Sequence, residues 1–246
     1  MSTTENPLPR RWYTAGTNLE VWGEAGTYKA VPYEALPPLP ATTTDSFAWL
    51  TSAPVSPHGL DFGDDTIGED ASGDDASNED DETAQDAIDA RLARLVFDAT
   101  KLGFTVPPAL IAFFVHPELR RRVPSCTACY LDVPTKLVEL PGGRPGRLLR
   151  FMNDQQCCIL WYVHLEAGGG HSVVCAAPEW IEGAVGESLE DVTTPRDLEM
   201  CAPDFETFMH RFWMENSLWF AVSKGGPLTA EQKAYAAAAK SARAAP

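Results

Sequence analysis

Between residues 130 and 176 the chain repeatedly turns back at glycines. Gly142 and Gly143 separate an apolar run at 136–140 from one at 147–152. Gly168, Gly169 and Gly170 separate 159–165 from 172–176. A parallel crossover takes a dozen or more residues, usually a helix. Connections this short leave room only for antiparallel partners. In 159–165, Ile159, Trp161, Val163 and Leu165 alternate with Leu160, Tyr162 and His164, so both faces of that strand have much to bury. With a further strand at 130–133, five short strands are predicted.

Helical spacing brackets this region. Ile88, Leu92, Leu95, Val96, Ala99 and Leu102 mark one face of a helix predicted to start near Thr83, with Gly103 at its C-terminus. Pro107 and Pro108 open a second helix at 109–114. Pro117 interrupts it, and 118–122 forms a further turn. After a looser stretch, 178–202, Asp204 is placed to cap a long helix carrying Phe205, Phe208, Met209, Phe212, Trp213, Trp219 and Phe220. Asn216 falls inside that stripe, either as a buried amide bonded to backbone or as a polar register pin. Thr229 and Gln232 stand at capping-box spacing before an Ala-rich helix at about 229–244, expected to fray or pack weakly. The fold class is α+β, a single mainly antiparallel sheet flanked by helices.

The formal charge of −16 is local. Segment 61–90 holds 13 of the 35 Asp and Glu residues and no Lys or Arg. Within it, 61–82 has almost nothing apolar to offset the entropy of ordering, so it is expected to be a disordered acidic linker. It shows no EF-hand register of acids, glycine and a twelfth-position glutamate. Residues 1–60 are a Pro- and Thr-rich arm. Its aromatics Trp12, Tyr13, Trp22, Tyr28 and Tyr33 are expected to lie on the surface of the main domain. Phe47, Trp49 and Leu50 form a second short aromatic motif, open between packing and docking. The organisation expected is thus arm 1–60, linker 61–82, α+β domain 83–222 and helical tail 223–246.

An acid excess argues against direct binding to nucleic acid or an anionic membrane, which need a basic footprint. It leaves a basic protein partner open. No apolar run approaches the roughly 18 residues of a spanning helix. The first twenty residues hold Pro7, Pro9, Arg10 and Arg11 and no apolar stretch, so no secretory signal is expected. Six cysteines, at 126, 129, 157, 158, 175 and 201, suit reduced thiols in a cytoplasmic protein.

The most chemical motif is Cys126-Thr127-Ala128-Cys129. Such a pair holds zinc with two more ligands, or cycles between thiol and disulfide. The other cysteines are adjacent or isolated, and His116 and His171 would help only through the fold. The redox use wants a helix N-terminus after a strand, whereas this pair precedes a strand. Two small half-buried residues are the default reading. His164 reads as a structural histidine, His210 as solvent-edge, and His171–Ser172 has no triad context. The glycines lack phosphate-loop context. Arg120, Arg121 and Arg122 are expected to cover a surface or pair with carboxylates. Asn153, Asp154, Gln155 and Gln156 break two apolar strands, as a polar hairpin turn or as the rim of a binding face.

The order of these segments resembles the SUKH superfamily of fungal cell-wall-synthesis regulators and bacterial toxin-immunity proteins. The resemblance rests on LGFTVPPALIAFF (102–114), RLLRFMNDQQCCILWYVHLEAGGGHSVVCAAP (147–178) and FETFMHRFWMENSLWFA (205–221). It includes the Val106–Pro107 helix start, the polar turn at 153–156, the aromatic strand pair and the Phe205, Phe208 helix opening. Cys157 departs from it, standing where a small residue such as glycine is expected. The resemblance implies a single sheet flanked by helices and binding without catalysis or cofactor. It points to a protein partner such as a basic toxin or nuclease. The partner-binding residues expected are Asp154, Gln155, Gln156, Asp132 and Tyr162. Two other classes stand beside this: a zinc- or redox-active protein centred on Cys126 and Cys129, and a scaffold that binds through its arm and acidic linker.

Overall fold

A computed structural model describes residues 8–14, 28–39, 47–63, 78–176 and 198–244. Five strands lie side by side in chain order and are antiparallel throughout: β3 (Tyr130–Leu131), β4 (Arg147–Asn153), β5 (Leu160–Leu165), β6 (His171–Ala176) and β7 (Glu199–Ala202). The α+β class with one main antiparallel sheet is therefore the architecture of the chain. A two-stranded ribbon, β1 (Arg11–Thr14) with β2 (Lys29–Pro32), runs along the β7 edge, where the Met200 amide donates to the Pro9 carbonyl at 2.7 Å.

The described helices are α1 (Ala48–Thr51), α2 (Asn78–Lys101), α3 (Pro108–Val115), α4 (Pro117–Arg120), α5 (Phe205–Ser223) and α6 (Ala230–Ala244). Asp204 caps α5 as its position predicts, its carboxylate accepting from the Thr207 amide at 2.7 Å. Thr229 and Gln232 cap α6 reciprocally, each side chain accepting the other's amide at 3.1 and 3.0 Å.

Alternation along β5 feeds two cores. Trp161, Val163 and Leu165 join the main core with Leu149, Phe151, Val173 and the α5 residues Phe205, Phe208 and Phe212. Leu160 and Tyr162 join Leu148, Val174 and Ala176 in a second cluster. The Phe151 ring meets those of Phe205 and Phe208 edge-on at 5.2 and 5.4 Å. Each buried side chain of this size contributes roughly 1.5–3 kcal/mol.

Several expectations are corrected. The stretch 178–202 contains β7, which pairs with β6. Segment 136–140 is not a strand. Pro134 and Pro141 flank it, and only Val138 bridges to Leu148. The helix placed near Thr83 begins at Asn78. Residues 61–63 are tied to β3 through Leu131, whose amide donates to the Asp61 carbonyl at 2.8 Å. The remainder of the expected linker, 64–77, lies outside the described residues, as does Trp22.

The arm is part of the core. Trp12 is 2% exposed and its indole donates to the buried carboxylate of Glu215 at 2.8 Å. Phe47 and Leu50 are buried too, while Trp49 stacks on His210 at 4.4 Å. His210 is therefore buried rather than at the solvent edge, and burial beside Arg211 lowers its pKa to about 4. Helix α6 packs through Tyr235 and Ala239, and the Tyr235 hydroxyl donates to Glu215 at 2.7 Å. Asn216 is the buried amide bonded to backbone: it accepts from the Cys126 amide and donates to the Phe212 carbonyl. Arg120 is buried, donating to the Phe114 carbonyl and to Gln85, with Asp61 3.6 Å away.

Candidate functional site

The polar segment after β4 is a hairpin turn whose organiser is Asp154. One carboxylate oxygen accepts from the backbone amides of Gln156 and Cys158 at 3.0 and 3.3 Å. This is the local bonding for which aspartate is favoured in turns. The other oxygen accepts from the Tyr28 hydroxyl, which comes from the N-terminal arm. That hydroxyl also lies 2.9 Å from the Thr127 hydroxyl and 3.5 Å from the Cys129 thiol. The Tyr28 ring packs edge-on against Trp161 at 5.9 Å.

Three non-glycine residues here have left-handed backbone: Tyr28 (φ 58°), Ala128 (φ 51°) and Cys157 (φ 54°). They are the three such residues among those described. Each costs roughly 1–2 kcal/mol, which the surrounding bonds must offset. Their meeting around one hydrogen-bond cluster marks a place where the chain holds a loop geometry against local preference. Cys157 thus adopts the conformation that glycine takes most readily.

The five residues grouped from sequence divide. Gln155 and Gln156 are exposed at the tip. Asp154 is buried and faces inward to Tyr28. Asp132 is buried, its carboxylate paired with the buried Arg150 guanidinium at 2.5 Å. Tyr162 is buried in the second core, and burial pushes its hydroxyl up to about 12. Asp132, Asp154 and Tyr162 are therefore internal supports, and only the two glutamines stand outward. Cys158 is exposed beside them. Tyr28 was not legible as part of this site, because 126 residues separate it from Asp154 and no local spacing announces the contact.

The cysteine pair is equally internal. Burial, with Cys129 alongside, pushes the Cys126 thiol up to about 12, and burial raises Cys129 as well. The thiolate is the nucleophile, and burial disfavours that form at both positions. Among the described residues, no three His, Cys, Asp or Glu side chains are grouped to hold a metal ion. His171 accepts from the Phe205 amide at 3.3 Å and so helps cap α5. The turn before β4 needs Gly146 (φ 117°), where a side chain would meet His164 Nε2 at 2.5 Å.

Comparisons with protein-family models, with curated proteins and with solved structures found no match.

Proposed function

We propose that this chain is a non-enzymatic protein-binding module of the SUKH kind, an immunity or regulatory protein that neutralises or regulates a partner by covering it. The observation that carries this reading is the hairpin tip. Gln155 and Gln156 stand exposed on a backbone held from behind by Asp154 and Tyr28. A pre-ordered loop loses less entropy on binding, so more of its contact energy appears as affinity. Neutral amides both donate and accept, which suits recognition of exposed backbone. A charge of −16 favours rapid encounter with a basic partner such as a toxin or nuclease.

The zinc or redox alternative has no third His, Cys, Asp or Glu grouped with Cys126 and Cys129 among the described residues. Of the scaffold alternative, Trp12, Phe47 and Leu50 of the arm are buried, while the acidic linker at 64–77 lies outside the described residues. Among the described residues no helix is long and apolar enough to cross a membrane. Six free cysteines support residence in the reducing cytoplasm.

The test is an affinity pull-down with the full chain from its native cell extract, read by mass spectrometry, with zinc quantified in the same sample. A single stoichiometric protein without zinc is expected. No partner together with one zinc per chain would overturn the reading.

A further inference from the structure

An open cavity of about 490 Å³ lies between α1, α3, α4 and the first turn of α5. We propose that this groove anchors a large apolar side chain of a basic partner segment, with a Lys or Arg neighbour drawn to the exposed Glu118. The proposal deepens the protein-binding reading and rests on it.

The groove follows from how α3 distributes its side chains. Phe113 and Phe114 are buried in the main core, and the Phe113 ring meets Phe47 and Phe205 at 5.3 and 5.9 Å. The residues α3 turns toward the groove are compact: Pro108, and Ala109 and Ala112 less than one helical turn apart. These short side chains, with Ala48 of α1 and Leu119 of α4, leave a concave apolar wall. Cavities of this size take up an anchor side chain or a small ligand.

The polar groups at the groove decide between these. Small-molecule sites fix their ligand with a few convergent donors and acceptors. Here the Thr51 hydroxyl already donates to the Ala48 carbonyl at 2.7 Å. The charged lining residues are two carboxylates, Glu118 and Glu206, and no Lys or Arg lines the groove. His116 Nδ1 stands 3.3 Å from Glu118 Oε1 and holds that carboxylate at the rim. An apolar wall with an anionic rim is complementary to an apolar anchor flanked by cations, and the chain's overall charge has the same sign as the rim.

The probe is the peptide KKLFKK, titrated into the full-length ¹⁵N-labelled chain and read by amide NMR. Saturating shifts at Thr51, Ala112 and Leu119 are expected, with at least tenfold weaker binding for KKSSKK and for EELFEE. Ala112→Trp fills the groove and Glu118→Lys reverses its rim; each is expected to weaken KKLFKK at least tenfold. Glu118 is exposed, so Glu118→Lys keeps the test decisive if Ala112→Trp fails to fold. Equal binding of KKSSKK, shifts confined to other residues, or no response to either substitution would overturn the proposal. So would concentration-dependent shifts at the same residues without peptide, which would assign the groove to a second copy of the chain. If KKLFKK fails while the pull-down still yields a stoichiometric partner, the groove alone is lost and the binding module stands.

Discussion

The Tyr28 hydroxyl donates to the Asp154 carboxylate across 126 residues of chain. This contact joins the N-terminal arm to the tip of the β4–β5 hairpin. Its geometry makes the arm a structural support for the tip, and it ties the 126–129 loop to the same point through Thr127 and Cys129.

Removing that hydroxyl tests the support. Hydrogen bonds to charged groups contribute about 1.5–3 kcal/mol net. Tyr28→Phe keeps the ring against Trp161 and is expected to lower stability by an amount in that range. The measurement is the denaturant midpoint, with an unchanged slope showing that only stability has moved. An unchanged midpoint would mean that Asp154 is held by its backbone bonds alone.

Cys157 tests the left-handed turn. Its thiol makes only a 3.8 Å contact with the Tyr130 hydroxyl and a partial packing contact with the second core. Cys157→Gly relieves a conformational cost of roughly 1–2 kcal/mol while adding flexibility to the unfolded chain, so it is expected to be near neutral or slightly stabilising. Cys157→Val adds branching at a positive φ and is expected to be clearly destabilising. Thermal melts that rank Val above Gly would contradict the turn geometry.

Two buried groups give stability opposite pH dependences. Burial raises the Glu215 pKa above its ordinary 4.5, against the lowering effect of the Trp12 and Tyr235 hydrogen bonds and Arg211. Its contribution is fully present below 4.5 and is lost as pH rises through the raised folded value. His210 is lowered from 6.5 to about 4. Its contribution is present above 6.5 and is lost as pH falls toward 4. In melts from pH 4 to 8, wild type minus Glu215→Gln is expected to fall with rising pH, and wild type minus His210→Phe to rise. Either difference running the other way would contradict the assigned burial.

Thiol accessibility separates the tip from the interior. Cys158 is exposed, while Cys129, Cys175 and Cys201 are buried and Cys126 is raised to about 12. An aromatic disulfide reagent at pH 8 is expected to show a fast phase that Cys158→Ser removes. A fast phase that survives this substitution but disappears in Cys126→Ser would restore a reactive centre at the cysteine pair.

The elements legible in the sequence are those whose signals are local. The apolar stripe and Asp204 cap announce α5, the paired prolines announce α3, and the polar turn at 153–156 with the glycine turn at 168–170 announce antiparallel β4, β5 and β6. What stayed hidden depends on distant partners. Strand β7 has only four residues and is recognised as a strand by its pairing with β6. The β1–β2 ribbon is placed by the β7 edge and by Glu215, 203 residues beyond Trp12. The same holds at the site: the turn at 153–156 is written in its polar residues, but the inward direction of Asp154 depends on Tyr28. Asp132 and Tyr162 look available in sequence because nothing local shows Arg150 or the second core beside them.

The most direct measurement is the affinity of the pulled-down partner for wild type and for Gln155→Arg/Gln156→Arg, with melts run in parallel. Both side chains are exposed, so the fold is expected to be unchanged. The account predicts at least a tenfold loss of affinity at equal melting temperature. Equal affinity for both proteins would contradict the claim that the hairpin tip is the contact surface.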